Sequence, residues 1–242
     1  MAFQEALVFK FEEVFFNPSP NYSNLYELIK KEEQESRTVP RLLPVGERML
    51  ALKKLIKPKA YKQLILLAEA AAETAETQSL SEAPLLPGVS TALDAAHDAG
   101  WFVAVASDLG KVSVSKALGQ KSLTDQIDLV AARIRLDESR ELSKRLAPVR
   151  KKVRTLTRVV YFCNRSQEVK EAKSLGMRCM VLPSKTEPFR TLLWAEPNGI
   201  ILSLQELPQL LALPSMKLPE REQPVTGAQP APDAAKPSAS PR

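Results

Sequence analysis

The stretch LVFKFEEVFF, residues 7–16, decides how the chain is to be read. Its apolar run is that of a buried strand entering a turn, yet it carries Lys10 and Glu12 among apolar neighbours. Side chains two apart on a strand leave the same face, so an ammonium and a carboxylate are placed side by side. Buried charges need partners, and the question is whether this pair performs chemistry or fills a place from which chemistry has gone.

Length and composition set the frame. A chain of 242 residues can bury a sizeable core as one large domain, with or without a smaller insertion. With 44% hydrophobic and 26% charged residues it has the balance of a soluble protein. No run approaches the roughly 18 apolar residues of a membrane-spanning helix. Glu5, Lys10 and Glu12 leave no room for a cleavable leader in the sequence as it stands, so a cytoplasmic location is expected. The two cysteines, Cys163 and Cys179, lack neighbouring His or Asp and are expected as small buried hydrophobes rather than a disulfide or a metal site.

The net charge of +6 is concentrated in one place. Between residues 140 and 158, Arg140, Lys144, Arg145, Arg150, Lys151, Lys152, Arg154 and Arg158 face Glu141 as the sole acid. That single helical or near-helical segment is the expected contact surface for an acidic protein, a phosphate-rich ligand or nucleic acid. It has no interleaved aromatics, which favours a protein partner, with RNA or a nucleoprotein complex as the alternative.

Apolar runs recur at 6–11, 101–107, 127–134, 158–164, 178–183 and 199–203. Between the later ones lie helix-like stretches at 89–100, 140–158, 166–176 and 203–213, two of which stop at Gly100 and Gly176 directly before a strand. The expected architecture is α/β: a Rossmann-like, open, mostly parallel sheet sandwiched by helices. Residues 21–35, 45–56 and 59–77 are helical without an intervening strand and form a small cap inserted after the first strand. The expected division is a core of residues 1–16 and 85–213, a helical cap over 17–84, and a Pro/Ala-rich disordered tail over 214–242.

In such a sheet ligands bind at the carboxyl ends of the strands. The residues expected there are Lys10, Phe11, Glu12 and Glu13 after the first strand, and Ser107 and Asp108 after the second. Cys163, Asn164 and Arg165 follow the fourth, with Glu168 one helical turn further on.

Four segments in order resemble the haloacid dehalogenase-like hydrolase superfamily, in its phosphatase branch with a helical cap, over about residues 5–213. LVFKFEEVFF is similar to the first motif, an apolar strand followed by D-x-D-G-x-[LTV]. LLPGVSTALDAAHDAGWFVAVASD is similar to the approach to the second, which places Ser107 on the family's phosphate-contacting Ser or Thr. VVYFCNRSQEVKEAKSLGMRCMVL resembles the fourth, and GIILSLQELPQLL the closing strand and helix.

The departures govern the functional expectation. Lys10 stands where the resemblance implies the nucleophilic Asp, Glu12 at the acid/base Asp, and Asn164 at a metal-binding Asp. Cys163 and Arg165 flank it in place of small residues, Glu168 takes the later acidic position, and Lys144 is the nearest counterpart of the third-motif lysine. An amine cannot form the acyl phosphate, and a fixed cation beside a divalent ion is unfavourable. The expectation is a pseudoenzyme without catalytic residues, metal or cofactor, serving as a protein-binding, assembly or regulatory module. Lys10 is expected to be neutralised by Glu12, helped by Glu168.

Three alternatives stand beside it. Lys10, Ser107, Asn164 and Arg165 could bind a phosphorylated small ligand without turnover. Glu12 or Glu13 could support a divergent, metal-free phosphatase, and the basic segment an RNA-associated scaffold. His97, Trp101 and Trp194 are read as boundary, core and connecting-segment residues.

Overall fold

A computed structural model describes residue 3 and residues 5–36, 45–138 and 141–213. The proposed tail from Pro214 onward and Arg140 lie outside the described residues.

Six strands form one parallel sheet in the order β3-β2-β1-β4-β5-β6. They are β1 (Ala6–Lys10), β2 (Phe102–Gly110), β3 (Leu129–Arg133), β4 (Val159–Cys163), β5 (Arg178–Val181) and β6 (Gly199–Ile200). β1 lies at the centre, with Ala6 opposite Phe102 and Val159 and Phe9 opposite Val105 and Phe162. All five residues of β1 are buried, as expected of a strand covered on both faces.

The helices are α1 (Ser23–Ser36), α2 (Val45–Leu55), α3 (Pro58–Glu82), α4 (Val89–Asp98), α5 (Lys111–Gln120), α6 (Leu142–Arg145), α7 (Ala147–Arg150), α8 (Ser166–Ser174), α9 (Phe189–Trp194) and α10 (Leu207–Ala212). Leu7 and Phe9 face a core completed by α4, α5 and α10, where Trp101 is also buried. Ala6 and Val8 face the opposite core, completed by α6, α7, α8 and α9. Strand alternation thus gives each face its own apolar layer and sends Lys10 toward the α8 side.

α1, α2 and α3 follow β1 without a strand between them and enclose a third core around Ile29, Met49, Leu52, Leu64 and Ile65. Glu33 and Arg48 join α1 to α2 through a buried two-pronged ion pair, with N–O distances of 2.7 and 2.6 Å. Leu136, from the segment after β3, also enters this core. Beside it Asp137 accepts from Lys53 at 3.1 Å and Tyr61 at 3.0 Å. The inserted helices are therefore clamped to the sheet by apolar and charged contacts together.

Three expectations are corrected. The basic segment is not one helix but the short α6 and α7 followed by a 3-10 turn at Leu156–Arg158. Pro148 has no N–H to donate and disfavours helical backbone in the residue before it, so a continuous helix cannot pass. The last strand is only two residues long, because Ser203 and Glu206 close a capping box at the 3-10 turn Leu204–Glu206. The closing helix accordingly divides into that turn and α10.

Gly100 and Gly176 are left-handed, at φ 76° and 78°, and stop α4 and α8 as expected. In both, the glycine N–H and the next N–H bond back to the last turn: Gly100 to His97 and Trp101 to Ala96, Gly176 to Lys173 and Met177 to Ala172. Gly88 differs in kind. Its φ is 84°, and a Cβ there would lie 2.5 Å from the backbone nitrogen of Gln205, whereas nothing lies within 4 Å at Gly100. Gly100→Ala should cost about 1 kcal/mol of stability and Gly88→Ala about 2 kcal/mol or more in urea denaturation. Equal losses would show that the Gly88–Gln205 approach is slack.

Candidate functional site

The carboxyl ends of β1, β2 and β4 bring together every expected position of the first, second and fourth motifs. Each positive or donor group there is held by one of the chain's own carboxylates.

Lys10 is buried at the end of β1, and its Nζ lies 2.8 Å from Oε1 of Glu168 on α8. The expected order of partners is reversed: Glu168 neutralises Lys10, and Glu12 turns elsewhere. The reason is the face on which each lies. Lys10 points toward the α8 layer, whereas the chain leaves the strand at Phe11, whose N–H bonds to Ala106, and carries Glu12 across to β2.

There Glu12 Oε1 accepts from the Ser107 hydroxyl at 2.6 Å and from the backbone N–H groups of Asp108 and Leu109 at 2.8 and 3.0 Å. These three donors form an anion-binding nest at the end of β2, and a glutamate carboxylate sits in it. Burial, then the neighbouring Asp108, push the Glu12 carboxyl above the usual carboxylate range. Burial likewise raises Glu168, only partly offset by Lys10.

Glu13, expected past the end of β1, is the centre of a donor cluster that the residue pattern did not reveal. It stands at the glycine place of the motif D-x-D-G, and its φ is 64°, the left-handed region that glycine favours. Its Oε2 accepts from the Asn164 side-chain amide, from Ser184 at 3.0 Å and from Thr186 at 2.5 Å. Its Oε1 accepts from Arg165 at 2.8 Å. Burial alone would raise its pKa, but the bonds from Thr186, Arg165 and Ser184 outweigh it and hold the carboxyl below the usual range. A non-glycine at a left-handed motif position was the available clue. Ser184 and Thr186, in the loop after β5, had none beyond their place past a strand end.

Asp108 is ion-paired with Arg145 of α6. Arg145 is therefore a wall of the site and not part of an outward basic surface. Lys144, the nearest counterpart of the third-motif lysine, is exposed and pairs with Glu141 at 3.3 Å. Arg158 is half-buried. Lys144, Arg150, Lys151, Lys152 and Arg154 are exposed, on a segment anchored by the buried Leu142, Leu146, Val149 and Val153.

The remaining singled-out residues are placed simply. Cys163 and Cys179 are buried with sulfurs 3.3 Å apart, and the hydrogen bond between them, with burial, pushes the Cys163 thiol well up. His97 Nε2 lies 2.8 Å from the Gln126 carbonyl. Trp194 is 68% exposed, with the Arg190 guanidinium 4.7 Å from its ring centre.

No family model and no curated protein matches the chain. Solved structures do. CbbY from Rhodobacter sphaeroides in complex with phosphate aligns with a TM-score of 0.56 at 17% identity, over 85% of this chain and 96% of that one. A HAD hydrolase, family IA, variant 3 from Entamoeba histolytica gives 0.57 at 14%, over 86% and 99%. A haloacid dehalogenase-like family hydrolase from Streptococcus pneumoniae gives 0.55 at 9%, over 86% and 98%.

The chain has the haloacid dehalogenase-like fold. The helical region inserted after β1 is consistent with that fold. That fold implies a magnesium ion at the end of β1, and the residues here do not fit one. The ammonium of Lys10 occupies the place of an anionic ligand, Asn164 is neutral and donates to Glu13, and Glu12 and Glu13 are turned to other donors. Among the described residues no group of three or more His, Cys, Asp or Glu is placed to hold a metal ion, and no helix is long and apolar enough to cross a membrane.

The opposed shifts of Glu12 and Glu13 give a pH signature. Glu12, raised above 4.5, binds its proton more readily folded, so stability rises as pH falls from neutral through its folded pKa and levels off near 4.5. Glu13, lowered from 4.5, contributes stability above that value that is lost as pH falls through its folded pKa. Thermal melts should therefore show a maximum on the acid side of neutrality. Glu12→Gln should make the arm between that maximum and pH 7 shallower, leaving the share that the likewise raised Glu168 contributes; an unchanged arm would rule out Glu12 as a source.

Proposed function

We propose that this is a catalytically silent member of the haloacid dehalogenase-like fold, a protein-binding, assembly or regulatory module that acts in the cytoplasm. One observation carries the reading: all four donors that a phosphoryl ligand would need are held internally. Lys10 pairs with Glu168, Ser107 donates to Glu12, and Asn164 and Arg165 donate to Glu13. A phosphate would have to displace three carboxylates, and a phosphoaspartyl route has no carboxylate at residue 10 to begin it. The same contacts weigh against a non-hydrolysing phosphate binder and against Glu12 or Glu13 as a free base.

Hydrolysis of p-nitrophenyl phosphate, with and without Mg²⁺, tests the silence. The expected rate is that of buffer in both conditions. Magnesium-dependent turnover that disappears in Glu12→Gln would overturn the reading.

The partner surface we infer is the outward row Lys144, Arg150, Lys151, Lys152 and Arg154. Its buried anchors hold the backbone that carries these cations in place, so less backbone freedom is lost when an acidic surface docks. Arg145 is excluded by its pairing with Asp108. Affinity purification of the native complex, repeated with Arg150, Lys151, Lys152 and Arg154 changed to Glu, should lose a protein partner or slow its association. Retention at undiminished strength would exclude this face, and loss of RNA rather than protein would favour the RNA-associated scaffold.

A further inference from the structure

Beside Glu13 the protein has a second feature, which lies outside the Lys10–Ser107 crevice. A cavity of about 610 Å³ opens next to the Glu13 carboxylate. Its polar end is the loop Ser184, Lys185 and Thr186, and its walls include Val14, Leu86, Leu182 and Leu202. Leu202 is 78% exposed there, an apolar side chain left to water on the rim.

The polar end is built to hold a carboxylate. Asn164, Arg165, Ser184 and Thr186 come from the ends of two neighbouring strands and the following loop, and all four donate to one pair of oxygens. The group now filling that cluster reaches it from a backbone position at φ 64°, unfavourable for a side chain of its kind by about 1 kcal/mol. It is also not sealed in: the Arg165 side chain is 50% exposed, and Glu13 retains 13%. Lys185 is exposed at the same rim and adds positive charge on the approach.

We propose that this is a binding site for a carboxylate carried on an apolar body, with Glu13 as its resident internal competitor. The incoming carboxylate takes the four donors, its apolar body lies along Leu86, Leu182 and Leu202, and Glu13 swings to solvent. The site goes beyond the proposed loss of catalysis: it shares Asn164 and Arg165 with the four donors of that reading but uses neither Lys10 nor the Ser107 nest. Two sources share this chemistry: a free amphiphilic acid and the C-terminal carboxylate of a protein ending in an apolar residue.

Isothermal titration with sodium octanoate tests it, octanol serving as the same apolar body without charge and inorganic phosphate as charge without the body. Glu13→Gly, which suits the left-handed backbone and frees the donors, should bind octanoate roughly tenfold more tightly than the unaltered protein. Adding Arg165→Ala should remove that gain. Glu13→Gln, which keeps the bulk and loses the charge, gives an intermediate affinity and a second reading if the glycine variant folds poorly. An octanoate affinity equal in all these proteins, or no better than that of octanol or phosphate, overturns the site. N-acetyl-Ala-Ala-Leu as free acid and as amide separates the sources: preference for the acid peptide over octanoate points to a protein C-terminus, the reverse to a free amphiphile.

Discussion

The structure turns on one buried charge. An ammonium at the end of the central strand has apolar layers on either side and would be strongly destabilising alone, so the rest of the site is arranged around its neutralisation. Glu168 supplies the counter-charge from α8, which ties that helix to the middle of the sheet at the level where ligands of this fold would bind. Such a pair contributes little net stability, because the desolvation of both ions offsets their attraction. Loss of either partner alone would leave a bare charge, at about 3–5 kcal/mol. The pair thus constrains sequence more than it stabilises the fold.

The second constraint is the union of the inserted helices with the sheet. Glu76, fully inside on α3, accepts from Arg133 at the end of β3, from the Gly110 N–H at 2.7 Å and from Tyr22 at 3.0 Å. With Leu136 in the cap's own core and Asp137 bound to Lys53 and Tyr61, the segment after β3 belongs to both layers. Opening the cap would break buried polar contacts and expose an apolar residue in one movement. A phosphatase that admits substrate between cap and core has reason to keep this joint loose; a module that presents a fixed surface has reason to close it.

The sheet was legible because its periodicity is local: runs of Val, Ile and Phe between turn residues give five of six strands to within a few residues, and Gly100 and Gly176 mark helix ends through backbone geometry that a side chain resists. β6 was overextended because its sheet bonds stop at Ile201 and the Glu206 carboxylate takes the N–H groups of Leu202 and Ser203, a choice invisible in hydrophobicity. The positions of the site were legible too, since they follow strand ends. The pairings among them were not. Whether Glu12 or Glu168 meets Lys10 depends on where the chain turns off the sheet after residue 10, and whether Arg145 faces outward depends on how Pro148 breaks its helix. Both are outcomes of three-dimensional direction rather than residue type.

The charges at the site are set against one another. Lys10, Arg145 and Arg165 bring three positive charges, and Glu12, Glu13, Asp108 and Glu168 bring four negative ones when all are ionised. One carboxylate is in excess. Glu12 is the one without a cation of its own, and burial together with Asp108 pushes it toward its neutral form. Its Oε2 is buried with no hydrogen-bond partner among the described residues, where a proton costs least. A divalent ion and a bound phosphate would balance such a crevice in another way; here three cations and four carboxylates, one of them pushed toward its neutral form, do so within the chain. Each ion pair leaves a buried or half-buried charge behind when one partner is removed, so a change at any one of these residues is felt by its neighbour.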